Sequence, residues 1–94
     1  MTLTPRAAAQ VRSQAGERDG GVYLRVAAKS GSDGEPVFGI GFDDPRQGDR
    51  EFEFDGVTLL VAPPSVDWLE GVVIDWVEVA PGEGRFAFAR PPSP

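Results

Sequence analysis

Two carboxylates stand close together on a glycine loop, Asp33 and Glu35 in Gly31-Ser32-Asp33-Gly34-Glu35. Hard oxygen donors at this spacing would suit weak binding of a divalent cation. The bland alternative is a turn, because Asp33-Gly34 is a good turn pair and no helix start or phosphate-binding Lys pattern follows it. A second acidic stretch contains Asp43, Asp44, Asp49, Glu51, Glu53 and Asp55. Pro45 interrupts it, and its later part alternates with Phe52 and Phe54, so it lacks calcium-loop spacing and reads as a solvated face. Asp75 lies between Ile74 and Trp76 inside an apolar run. A carboxylate there is either a poised acid or base, or an acceptor of Arg or backbone hydrogen bonds. No second acid has a defined relation to it, so no catalytic role is assigned to any residue.

The 94 residues contain no Cys and no His. Disulfides, thiolate nucleophiles, Cys/His zinc sites, imidazole bases and His-containing triads are all excluded within this sequence. Carboxylates, hydroxyls, Lys29 and the arginines remain. The net charge is −6, which repels nucleic acid at long range. Arg6, Arg12 and Arg18 recur too widely to share a helical face and read as solvated charge. No apolar run is long enough to cross a bilayer. The N-terminus lacks an apolar signal region, so the expected address is the cytoplasm.

The elements that would position these residues follow from periodicity. Thr4 caps a helix that Pro5 begins, with Ala7, Ala8, Val11 and Ala15 on one stripe and Gly16 at its end. Glu17–Gly21 reads as a turn. Val22, Leu24 and Val26 alternate as a strand. Val37–Phe42 is a second strand, in which Gly39 and Gly41 suggest a bulge or close backbone approach. Glu51–Phe54 points rings inward and acids outward. Asp55-Gly56 is a hairpin turn leading into the apolar strand Val57–Val61. Ser65 is expected to cap a short helix ended by Gly71. Val72–Val79 and Arg85–Ala89 are the last strands, and Trp68, Trp76, Phe86 and Phe88 are core candidates. The predicted fold is a single α+β domain over residues 1–94, mainly β, with mostly antiparallel hairpins and two helices. Residues 90–94 read as a loose tail.

Six segments in order resemble one family. They are "LTPRAAAQV" at 3–11, "LRVAAKSG" at 24–31, "GFDD" at 41–44, "FDGVTLLVAPPS" at 54–65, "WLEGVVIDWVE" at 68–78 and "GEGRFAFARP" at 82–91. The resemblance is to the A-type iron–sulfur carriers, the HesB/IscA-like group. It implies compact antiparallel or mixed sheets with an N-terminal helix and a short second helix. It also implies homo-oligomers, protein partners, and delivery of iron or a cluster to apo-proteins through three cysteines.

Counting back from Gly41-Phe42-Asp43-Asp44, the first of those cysteine positions falls on Asp33. The counterpart of the C-terminal C-G-C pair would fall after Pro94. The expectation is therefore a non-catalytic domain without cluster or other cofactor, acting as an accessory or regulatory protein-binding module in iron–sulfur or sulfur metabolism. Asp33-Gly34, "GFDD" and Val61-Ala62-Pro63 also resemble cysteine-less members associated with dissimilatory sulfur oxidation. The alternative is a weak carboxylate-based iron carrier using Asp33 and Glu35.

Overall fold

A computed structural model describes residues 1–16 and 21–90. The Glu17–Gly20 part of the expected turn and the tail from Pro91 onward lie outside the described residues. The element order is β1 (Thr2–Leu3), α1 (Pro5–Ala15), β2 (Val22–Ser30), β3 (Pro36–Phe42), β4 (Arg50–Phe54), β5 (Val57–Val61), α2 (Pro63–Val66), a 3₁₀ turn (Asp67–Leu69), β6 (Val73–Ala80) and β7 (Glu83–Ala89).

Helix α1 forms as its ends dictate. Thr4 is extended and its hydroxyl accepts the Ala7 N–H at 3.3 Å, with Pro5 in the first turn. Gly16 adopts φ +66° and returns its N–H to the Arg12 carbonyl, a conformation costly for a side chain bearing Cβ. Ala7, Ala8 and Val11 are fully buried. These small side chains let the helix lie close to the sheets.

The strands form two sheets, in the orders β3-β2-β5-β4 and β1-β6-β7. The alternation in β2 buries Leu24, Val26 and Ala28. They share the core with Val57, Leu59 and Val61 of β5 and with Leu3, Leu69, Val72 and Ile74. Phe38 of β3 stacks on Phe88 of β7 with ring centroids 4.8 Å apart, joining the two sheets. Trp76 meets Phe86 edge to face at 4.9 Å and lies over Gly84. A Cβ at Gly84 would sit 2.4 Å from the indole, so only glycine fits beneath it. Asp55 (φ 47°) and Gly56 (φ 84°) make the expected tight turn between β4 and β5.

Several expectations need correction. Three pairings are the expected antiparallel hairpins, β2 with β3, β4 with β5 and β6 with β7, but β1 with β6 and β2 with β5 are parallel, so both sheets are mixed. Thr2–Leu3 forms a strand, because its backbone pairs with β6. Gly39 and Gly41 mark no bulge: β2 and β3 stay in register throughout, and open space lies where a Cβ would be. The irregularity lies instead in β6, between Glu78 and Ala80.

Ser65 does not cap α2. That helix starts at Pro63 after an extended Ala62, and no side chain caps it. Ser65 is buried, and its hydroxyl both accepts the Ala28 N–H (3.2 Å) and donates to the Ala28 carbonyl (3.1 Å). The reason is topological. The pairing of β2 with β5 ends at Arg25 opposite Leu60, so further along that side of β2 the hydroxyl stands in for a strand neighbour.

Candidate functional site

The loop between β2 and β3 is built by its own backbone. Gly31 N–H donates to the Glu35 carbonyl at 2.7 Å, and Gly34 N–H donates to the Gly31 carbonyl at 3.1 Å. Gly34 takes φ +83° to close the turn. The Asp33 carboxylate folds back and accepts the Glu35 N–H at 3.1 Å. Asp33 and Glu35 are both exposed. Gly31 is tightly enclosed, since a Cβ there would lie 2.9 Å from the Glu35 carbonyl oxygen and 3.0 Å from Val37. Asp33 is thus engaged in closing its own turn.

The acids expected to form a solvated face divide into two groups. Asp44, Glu51, Glu53 and Asp55 are exposed. Asp43 and Asp49 instead clamp Arg25, whose side chain rises from β2. Arg25 Nε donates to Asp43 at 2.6 Å, while Nη1 and Nη2 donate to the two oxygens of Asp49 at 2.9 and 2.6 Å. Arg46 adds its guanidinium to Asp43 at 3.0 Å and its backbone N–H to Asp49 at 2.8 Å. The Asp49 side chain is only 4% exposed. The Arg25 hydrogen bonds, followed by the Arg46 N–H, hold the Asp49 carboxyl at about 2. The same guanidinium, followed by the Asp44 N–H, lowers Asp43. Bidentate geometry of this kind fixes the loop 43–49 on the sheet.

Asp75 is an acceptor rather than a poised acid. Arg6 donates to it through Nε and Nη2 at 2.7 and 2.6 Å, the Thr4 hydroxyl at 2.7 Å, and the Trp76 N–H at 2.8 Å. Arg6 first, then Thr4, pulls its carboxyl well below the usual range. Arg6 and Arg12 are therefore not simply solvated charges: Arg12 donates to the Asp55 carbonyl. Arg18 lies outside the described residues. Sequence reasoning allowed Asp75 an arginine donor without naming Arg6, and it missed the Arg25 clamp. The available signals were Asp75 in an apolar run and Arg25 in an otherwise apolar strand.

Among the described residues, no three acids, cysteines or histidines converge so as to hold a metal ion. A hollow of about 200 Å³ is lined by Met1, Phe52, Val61, Val66, Leu69 and Glu70, which brings no acid–base pair together. Trp68, Trp76, Phe86 and Phe88 all pack partly buried against the core. No helix among the described residues is long and apolar enough to cross a membrane.

No family model matches the chain. Curated relatives do. The iron–sulfur cluster insertion protein ErpA of Alkalilimnicola ehrlichii is 38% identical over 93 residues, covering 97% of this chain and 75% of that protein. The iron-binding protein IscA of Klebsiella pneumoniae is 32% identical over 92 residues, covering 97% and 85%. The chain belongs to the A-type iron–sulfur carrier family. The A-type fold agrees. The crystal structure of Escherichia coli SufA, described as involved in biosynthesis of iron–sulfur clusters, superposes with a TM-score of 0.82 at 26% identity, covering 99% of this chain and 82% of SufA. A crystal structure of IscA with a [2Fe-2S] cluster shares the fold, with a TM-score of 0.80 at 23% identity, covering 97% and 86%.

The donor set of these 94 residues does not fit an iron–sulfur cluster. Such clusters are held by thiolates, with imidazole in some, and the sequence offers neither. The loop 31–35 presents hard carboxylate oxygens, one of them turned onto its own backbone.

Proposed function

We propose that this chain is a cysteine-free A-type domain that serves iron–sulfur or sulfur metabolism by binding other proteins, without ligating a cluster and without catalysing a reaction. It keeps the carriers' framework while lacking sulfur and imidazole donors. One observation carries the reading. Asp33, which the segment resemblance equates with the carriers' first cysteine, is exposed and its carboxylate closes a turn by accepting the Glu35 N–H.

Anaerobic incubation with ferrous iron and sulfide, followed by gel filtration, tests it. The expected result is protein eluting colourless, with iron and sulfide at background. A visible chromophore co-eluting with the protein alone would overturn the proposal. Exposed Asp33 and Glu35 on one loop supply the second reading, weak iron carriage by carboxylates. Titration with ferrous iron should then saturate, and Asp33→Ala should abolish binding. Absence of saturation removes that reading.

A further inference from the structure

Among the described residues, strands β3 and β4 are the two edges of the four-stranded sheet. Natural edge strands are usually blunted by charge, bulges or a covering element, because unpaired peptide groups recruit other strands. Edge β4 follows that rule, with Arg50, Glu51 and Glu53 among its residues. Edge β3 does not: Pro36-Val37-Phe38-Gly39-Ile40-Gly41-Phe42 carries no charge and no bulge. Val37 is 49% exposed. Gly39 and Gly41 leave the outer face flat and open beside the exposed Ala27.

The direction of the free peptide groups follows from two hydrogen bonds. Gly31 N–H reaches the Glu35 carbonyl and Asp43 N–H reaches the Tyr23 carbonyl. In an antiparallel ladder this alternation turns the N–H and C=O of Phe38 and Ile40 away from β2. The same alternation turns Ala28 outward on the far side of β2, where Ser65 meets it.

Charge narrows the choice of occupant. Between Ser30 and Pro45 the chain carries Asp33, Glu35, Asp43 and Asp44 and no cation. Arg25 and Arg46 engage Asp43, while Asp33, Glu35 and Asp44 remain exposed. Acids thus bracket an uncharged edge. A second copy pairing antiparallel about a two-fold axis would bring one strand's Asp33–Glu35 end against the other's Asp43–Asp44 end, and like charges so opposed are destabilising.

We propose that the edge of β3 at Phe38 and Ile40 receives an extended apolar segment of another protein, flanked at both ends by Lys or Arg, as an added strand. Main-chain bonds to Phe38 and Ile40 would supply affinity, and the bracketing acids would supply selectivity. This deepens the protein-binding reading above but is tested apart from it, since cluster reconstitution says nothing of β3 and a strand can add here whether or not iron is bound.

The test uses a synthetic peptide of alternating Thr and Val with two lysines at each end, added to the isotopically labelled chain. Amide exchange at Phe38 and Ile40 should slow by about tenfold or more at saturation. The same peptide with glutamates in place of lysines should bind at least about tenfold more weakly. Gly39→Lys, whose side chain enters open space, should keep the circular dichroism spectrum and weaken the lysine-flanked peptide. Glu35→Gln with Asp44→Asn should narrow the gap between the two peptides. Unchanged exchange at Phe38 and Ile40, or equal binding of both peptides, would overturn the proposal. Slowing that grows with protein concentration in the absence of peptide would also overturn it, by showing that a second copy takes the edge.

Discussion

The loops 31–35 and 43–49 have similar ingredients, glycine and aspartate in a short connection leaving a strand, yet their carboxylates have opposite fates. In 43–49, Asp43 and Asp49 reach an arginine that the sheet supplies. In 31–35, Asp33 finds only its own backbone. Acid density therefore says little about a site. What counts is whether a cation stands within reach on a neighbouring strand, and Arg25 stands at one end of β2 while the loop 31–35 lies beyond the other.

The contrast can be broken most forcefully at Arg25. Arg25→Met leaves the nearly inaccessible Asp49 without its partner, and should lower the melting temperature by about 10 °C in thermal unfolding followed by circular dichroism. A change of a degree or two would mean the corner is no more structural than the loop. Acid titration sharpens the same point. Asp49 is held at about 2 against an ordinary 3.8, chiefly by Arg25. A carboxyl with a lowered folded value contributes stability above the unfolded value and loses it as pH falls. Stability should therefore decline from about pH 4 towards pH 2, and less steeply in Arg25→Met, with Asp75 retaining its share of the slope.

Smaller effects belong to the other loop. Gly31→Ala must displace the Glu35 carbonyl or Val37, and should cost about 1–2 kcal/mol in denaturant unfolding. Asp33→Ala removes one exposed side-chain hydrogen bond and should cost no more than about 0.5 kcal/mol. If Asp33→Ala proved as damaging as Arg25→Met, the distinction between the loops would fail.

Local chemistry made much of the fold legible. Thr4-Pro5 and Gly16 bounded α1, the alternation in β2 marked its buried face, and Asp55-Gly56 marked a tight turn. Parallel pairing was not legible, because the register of β2 with β5 depends on segments far apart in the chain and leaves no local period. The Arg25 clamp was hidden for the same reason: an arginine in an alternating strand reads as solvent-facing, and its partners lie 18 and 24 residues away. Ser65 resembled a helix cap because Ser before an apolar run usually is one, whereas here Pro63 had already begun the turn. Of the candidate site, the acids and the missing soft donors were plain from residue types, but which carboxylates were already committed emerged only in three dimensions.

The parallel pairing of β1 with β6 has a consequence for biosynthesis. Thr2 and Leu3 dock beside Val73 and Ile74, so β1 has no place to settle until β6, far later in the chain, has also been made. At roughly 5–20 residues per second, the opening segment waits several seconds for its partner. Strand β1 is therefore made long before it can find its seat, and it stays open to proteases and chaperones for that interval.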